Sequence, residues 1–551
     1  LDRAGYFADY LVRSPESFDL LRVTQGDVFS RATLVRELVA ETNRIDDASH
    51  LVRVLADYRR RETLRIAVGE MLHGNSPDQT SQQLTFVADA ILQSVLEFVQ
   101  RQWVHRHGTP RGPDGAPIGL CVLALGDYAG EEIDFECRLQ LMVLTDLAGN
   151  SDGADPLSAD EYFESMAQEI CQLMAGEPGR NSAGDAVDEQ SDGPAKDHEA
   201  IGYIIDLSLR PGGKTGPIAS TRVAAMRYFQ SQGRTWQRQA MLRLRAAAGD
   251  LSLADRFMDE FSSWVYPRFL SSSDWAGLRS LRRRIAGAGA SRGGIADIQL
   301  TVQFLQLICG RESPAARSAN TTEAMNALAA QGLLSMREHN TLSANYRSLR
   351  HLRHQMQGLF GPAQSHVPDD QQSLTTIAAV LGYHNDAGNA DADAFSQWLD
   401  DRRLENRTVI SLLANEPIQL NDPVPQSSGT ITAYDDLNRE ADFDAAETDL
   451  ILEPEPPTQQ IESVLRPYGF QNPLRAARLM DQLADEAIPF LPSRRCRHLL
   501  ARVSRPLLQE ISQTPEPDQT LTVLAEMTNS IGGKSTLWEL FLKNPATMRM
   551  V

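Results

Sequence analysis

A mainly helical chain with one embedded α/β domain is predicted by three observations. Apolar residues recur at helical spacing over most of the 551 residues. That period gives way to strand-like runs over Ile118–Thr145 and Ile201–Pro217, where apolar runs with β-branched residues end in glycine turns. Both breaks fall in one part of the chain, so helical bundles are expected on either side of it.

Composition narrows the partners. At roughly 100–200 residues per domain, the length corresponds to about three to five domains. Hydrophobic residues at 42% are enough for several cores. A net charge of −20 argues against duplex DNA or anionic membrane as main partners, because both need clustered Lys and Arg. No nucleic-acid or membrane partner is expected. Cys121, Cys137, Cys171, Cys309 and Cys496 are scattered and odd in number, which reads as buried thiols in a reducing cytoplasm. No apolar run approaches a membrane span, and no signal peptide is visible. The chain opens on Leu1 already in helical pattern, which suggests a trimmed chain or a fragment.

Taken in order, residues 1–110 form a helical subdomain. Tyr6, Phe7, Tyr10 and Leu11 begin an apolar stripe, and Phe86, Ile91, Val95 and Phe98 mark a long helix over 84–104. The turn-rich 107–116 introduces an α/β domain over 111–250. Within it, 161–174 is an amphipathic helix and 224–232 a short one. The stretch 175–200 is Gly-, Ser- and Asp-rich and reads as a mobile insertion. Residues 236–245 fit helix or strand. A helical bundle is expected over 251–413, with Phe257, Phe261 and Trp264, then Ile295, Ile298, Val302 and Leu305, on its inner faces. An acidic linker over 414–458 and a helical module over 459–551 complete the chain.

The α/β domain carries the chemistry. IGLCVLALGDYAGEEIDFECRLQLMVLT gives a strand, a glycine turn and a second strand. IGYIIDLSLRPGGKTGP gives a third strand with Asp206 inside it, then a Gly-rich basic loop. That order is the layout of a nucleotidyltransferase fold. Its catalytic centre places two carboxylates, two residues apart and so on one face of the second strand, to hold divalent ions against phosphates.

Several longer motifs resemble one family, the glutamine synthetase adenylyltransferase / adenylyl-removing enzymes. DLSLRPGGKTGP is similar to its DLRLRPxGxxGP, and GRTWQRQAMLRLRAAAGD to its GRTWERQALIKARPVAGD. SRGGIADIQL (291–300), LRHQMQ (352–357) and GGKSTLWELFLKNPATMRMV at the end extend the likeness over nearly the whole chain. The resemblance implies an N-terminal nucleotidyltransferase domain and central helical region, stopping before a second catalytic domain. It also implies Mg2+ and ATP or ADP as cofactors, glutamine synthetase as substrate, and a PII-type signalling protein as regulator. In the family the N-terminal domain removes AMP from glutamine synthetase by phosphorolysis and the C-terminal domain adds it from ATP.

Against the family's GxGKLGGxELNxxSDIDLIF, this chain has LALGDYAGEEIDFECRLQLMV. Gly126, Gly130 and Glu132 match. Asp127 stands in place of Lys, and the D-I-D falls on Arg138-Leu139-Gln140. Neither Arg138 nor Gln140 supplies an anionic ligand, which makes Mg2+ binding doubtful. Asp206 is the remaining carboxylate. Arg138 is left to contact a phosphate directly, and Gly126, Gly130, Arg210, Lys214 and Gly216 are the other expected phosphate-side residues. Asp134 and Glu136 have the parity of a metal pair, but lie about 13 Å upstream on an extended strand and need a bulge to reach the site. Arg243 and Arg245 are expected to face the cleft or be solvated. Asp297 and Gln299 replace an acidic pair.

Other features read as structural. Gly532-Gly533-Lys534-Ser535 lacks the first glycine of a phosphate loop and sits in helical context. His351 and His354 are expected to be partly buried rather than metal ligands. The favoured reading is a catalytically inactive, regulatory nucleotidyltransferase domain. An active enzyme with a rebuilt metal site and a non-enzymatic helical scaffold are the alternatives.

Overall fold

The computed structural model describes residues 5–13, 26–176, 200–267, 274, 277–278, 280–281, 293–415, 446–452, 456–486, 493–530 and 533–550. The chain divides into two compact units. The first is Leu1–Met226, Ala240–Tyr266 and Ala288–Ser411, and the second Arg227–Gln239, Pro267–Gly287 and Leu412–Val551.

In the first unit, helices α1 (Gly5–Arg13), α2 (Arg31–Thr42), α3 (Ala48–His73) and α4 (Pro77–His107) come first. The starts of α2, α3 and α4 are set by Ser30, Asp47 and Ser76, whose side chains accept from backbone amides three residues on. Strands β1 (Pro110–Arg111), β2 (Leu120–Leu125), β3 (Arg138–Thr145) and β4 (Asn150–Ser151) follow, with the short α5 (Gly126–Ala129) after β2. Helix α6 (Ala159–Ala175) leads to β5 (Ile204–Asp206) and β6 (Ala219–Thr221), and after α7 (Arg222–Gln232) and α8 (Thr235–Ala240), most of whose residues belong to the second unit, comes β7 (Leu244–Gly249).

The main sheet runs β5-β3-β2-β7, with β6 also on β3. Strand β2 is antiparallel to both neighbours, whereas β5 and β6 pair with β3 in parallel. Alternation sorts the side chains. Val122 and Ala124 of β2 and Leu139, Leu141 and Val143 of β3 join one core with Leu92, Val95, Val99 and Ile170. The other face of β3 therefore carries Arg138 and Gln140.

Helices α9 (Leu251–Val265), α10 (Ile295–Cys309), α11 (Thr321–Ala330), α12 (Met336–Phe360), α13 (Gln371–Leu381) and α14 (Ala392–Asn415) follow; α9 packs on β2 and β7, while α10, α11 and α12 pack on one another. The second unit holds α15 (Ala446–Leu452), α16 (Thr458–Leu465), α17 (Pro473–Ala484), α18 (Ser493–Ser512), α19 (Pro517–Ser530) and α20 (Lys534–Lys543) around Leu465, Leu483, Val503 and Trp538.

Some expectations change. The stretch 236–245 is both things in succession, helix to Ala240 and strand from Leu244. The third strand is three residues long. Inside the expected acidic linker, Ala446–Leu452 is a helix with Leu450 and Ile451 buried; its earlier acidic residues, and most of the insertion at 175–200, lie outside the described residues. Cys121, Cys137 and Cys496 are buried free thiols, while Cys171 and Cys309 are half-buried. Among the described residues, no helix is long and apolar enough to cross a membrane.

Candidate functional site

Parallel pairing of β3 with β5 puts Gln140 directly beside Asp206, and Arg138 beside Ile204. The Gln140 amide donates to Asp206 Oδ2 at 3.3 Å, and the Ser208 amide donates to Oδ1 at 2.9 Å. Burial acts to raise the Asp206 carboxyl, but the Ser208 and Gln140 bonds and the nearby Arg138 charge win, and it sits below the ordinary carboxylate value. Arg138 is exposed at the rim, 3.5 Å from Glu136.

Gly126 closes the other side. Its φ of 55° is a left-handed turn, and a Cβ there would lie 1.8 Å from the Gln140 amide oxygen. Gln140 thus spans the space between the Gly126 turn and Asp206. The amide provides neutral hydrogen bonding where two negative ligands would be needed for a divalent ion. Among the described residues, no group of three or more His, Cys, Asp or Glu could hold a metal ion. Beside Asp206, neither Arg138 nor Gln140 offers an anionic ligand.

The upstream pair is not on a strand. Asp134 and Glu136 lie in the turn before β3, where Asp134 Oδ1 accepts the Glu136 amide at 3.0 Å and Oδ2 faces Arg353 at 3.4 Å. Phe135 is buried, and its amide donates to Gln357. Cys137, with φ of 55°, turns the chain into β3. The expectation of an extended D-x-E segment is corrected by this turn, which orients Asp134 toward α12.

The Gly-rich loop has a defined origin. Gln140 pairs with Asp206 and Val143 with Ala219, so 13 positions on one side face 3 on the other. The twelve residues 207–218 arch off the edge of β3 and return to it. Glu164 of α6 fixes the return by accepting the Ile218 and Ala219 amides at 2.8 and 2.9 Å. Arg210 turns inward and donates to the carbonyls of Leu207, Lys214, Gly216 and Pro217 at 2.9–3.1 Å. Its guanidinium holds the arch in shape, and Lys214 is the exposed cation of the loop. Glu164 went unread in the sequence because it sits on the polar side of an ordinary amphipathic helix.

Arg243 and Arg245 are neither solvated nor in the cleft. Arg243 donates to the Ala319 carbonyl at 2.8 Å, to Asp127 at 2.7 Å and to the buried Glu132. Gly130 makes room for it, since a Cβ there would lie 2.1 Å from Arg243 Nη2. Glu132 also accepts the Thr321 amide and hydroxyl at 2.8 and 2.9 Å and lies 3.7 Å from Arg350. Arg245 grips Asp89 at 2.7 Å, which also accepts the Tyr128 hydroxyl. Burial alone would lower both guanidinium groups; the facing carboxylates instead raise them. Gln299 donates to Asp127 at 2.9 Å and to Tyr346 at 3.1 Å, while Asp297 caps α10 through the Gly293 amide at 2.7 Å.

Of the remaining features, Lys534 is buried and donates to the Gln482 carbonyl at 2.8 Å. The Lys534 and Ser535 amides are occupied by Glu486 at 2.9 and 3.0 Å, so this helix start already holds its anion. His351 and His354 both bond the Glu70 carboxylate, at 2.8 and 2.7 Å.

Known proteins share these segments. The family model for glutamate-ammonia ligase adenylyltransferase matches residues 2–181 and 195–260, and that for GlnD PII-uridylyltransferase matches 290–413. A bifunctional glutamine synthetase adenylyltransferase/adenylyl-removing enzyme of Xanthomonas axonopodis pv. citri is 32% identical over 60% of this chain and 34% of its own length. Proteins of the same description from Xanthobacter autotrophicus and Thioalkalivibrio sulfidiphilus are 26% and 24% identical over 98% and 99% of this chain. The chain spans about half the length of those two relatives, 51% and 54%.

Proposed function

We propose, from the chain's membership of the glutamine synthetase adenylyltransferase/adenylyl-removing family, that its nucleotidyltransferase domain no longer transfers adenylyl groups by itself and acts as a regulatory or docking unit toward glutamine synthetase or a PII-type protein. The observation that carries this reading is the Gln140–Asp206 hydrogen bond at 3.3 Å. An amide stands where the resemblance puts a metal-binding carboxylate, and it fills the space between Asp206 and Gly126.

A second pair of changes points the same way. Where the family motifs have Lys and Glu, this chain has Asp127 and Gln299, and those two side chains bond each other at 2.9 Å. Arg243 supplies the positive charge for Asp127 from inside the protein. The residues that matched the family motif are explained without catalysis. Gly126 admits Gln140, Gly130 admits Arg243, and Glu132 neutralises buried arginines. An active centre rebuilt on Asp134 and Glu136 is disfavoured by their engagement in the turn before β3.

The test is a deadenylylation assay of this chain with adenylylated glutamine synthetase, phosphate and Mg2+. No ADP is expected. Release of ADP that disappears in Asp206→Ala overturns the reading. As a converse, the double variant R138D/Q140D restores two carboxylates beside Asp206. It is expected to bind Mn2+, detected by loss of the free-ion electron paramagnetic resonance signal, where the unmodified chain leaves that signal intact.

A further inference from the structure

A cavity of about 440 Å³ opens within the first unit between α12, α13 and α14, away from the sheet residues described above. Its size lies in the range of small-molecule sites, roughly 300–1,000 Å³. One wall is apolar and aromatic: Leu352, Leu381, Tyr383 and Trp398. The Tyr383 and Trp398 ring centres are 5.9 Å apart with planes inclined at 48°, a corner that fits a flat or branched apolar group. The polar side chains of the lining include Arg347 and His351.

Both polar groups are oriented from behind and leave a face toward the cavity. Arg347 Nε lies 3.5 Å from Asp78, and no partner among the described residues engages its two terminal nitrogens. His351 Nδ1 bonds Glu70 at 2.8 Å, and His354 bonds the other oxygen of the same carboxylate. The buried Arg350, 3.7 Å from Asp78, helps offset that carboxylate's charge near the mouth. A fork-shaped cation beside an apolar corner is suited to a carboxylate joined to a compact hydrophobic body.

We propose that this cavity binds a small organic acid, with its carboxylate on Arg347 and its aryl or branched-aliphatic body against Tyr383, Trp398 and Leu381. The site is independent of the reading of the nucleotidyltransferase domain. Nothing in it depends on Asp206 or on bound nucleotide.

The probe is 3-phenylpropionate, titrated calorimetrically into the full 551-residue chain, with 3-phenylpropionamide as its neutral counterpart. Saturable binding of the acid is expected, with the amide at least about 10-fold weaker because it loses the charge-assisted bond. Arg347→Met is expected to weaken the acid by a similar factor, and Leu381→Trp to abolish binding by filling the corner. Arg347 is half exposed, so its variant is expected to fold normally, confirmed by an unchanged thermal melt. Absence of saturable binding overturns the proposal. So does equal affinity for acid and amide, or affinity unchanged in both variants.

Discussion

Two carboxylates of the α/β domain, Glu132 and Asp206, both match the family motifs, yet the protein treats them oppositely. Glu132 is closed off from water and receives the Thr321 amide and hydroxyl, Arg243 and Arg350. Asp206 is half-buried and receives one backbone amide and one long bond from Gln140. A buried charge lacking such partners is costly, so Glu132 is required by the fold whatever the domain does. Asp206 has no comparable structural duty. Persistence of a motif residue is therefore evidence of activity only where packing does not already demand it.

The largest test of that contrast is Glu132→Gln. It leaves Arg243 and Arg350 facing a neutral group inside the protein, and breaking a buried pair in this way costs about 3–5 kcal/mol. Urea unfolding of the first unit is expected to show a loss of that size. A loss below about 1 kcal/mol, the scale of a surface pair, would erase the contrast.

Glu70 extends the comparison through pH. Burial acts to raise its carboxyl, but His354 and His351 outweigh burial and hold it at about 2, down from 4.5. A lowered carboxyl stabilises the fold above its ordinary value, and that contribution disappears as pH falls from 4.5 toward 2. The shift corresponds to about 3 kcal/mol. Urea midpoints measured across that window are expected to fall steeply in the natural chain. In Glu70→Gln they are expected to start lower and change less; parallel curves for the two chains would contradict the assignment.

Gly130→Ala gives a somewhat smaller effect. The added Cβ would lie 2.1 Å from Arg243 Nη2 and 2.7 Å from the Ala319 carbonyl, which is backbone and cannot swing away. Overpacking of this kind costs about 1–3 kcal/mol. The same urea assay checks it, and an unchanged midpoint would show that Gly130 is not there to admit Arg243.

What the sequence made legible follows the range of the forces involved. Helix periods, the apolar runs of β2 and β3 and the carboxylate on β5 are local patterns. They placed Arg138, Gln140 and Asp206 on neighbouring strands. The destinations of Arg243 and Arg245 were not legible, because their partners Glu132 and Asp89 lie more than 100 positions away. Asp134 and Glu136 misled because alternation of polar and apolar residues is shared by strands and by turns that bury one residue. Cys137 at positive φ ends the alternation before β3 starts, and no residue preference announces that at a cysteine. The structural part of Arg210 was hidden for a related reason. A cation in a glycine loop looks like a phosphate ligand until the loop's own carbonyls are seen to need a donor.

The smallest expected effect belongs to Asp206→Asn. The carboxyl sits below its ordinary value, so its contribution to stability is present at neutral pH and is lost under acid. It is also half open to water, where such contributions are screened, and the asparagine oxygen can still accept the Ser208 amide. A change under about 1 kcal/mol is expected in the urea midpoint at pH 7. Set beside Glu132→Gln, this near-neutral result would establish that Asp206 is dispensable to the fold, so that its retention needs another cause, such as a bound partner. A loss as large as that of Glu132→Gln would place Asp206 among the structural carboxylates and remove the last residue of the site whose presence packing does not explain.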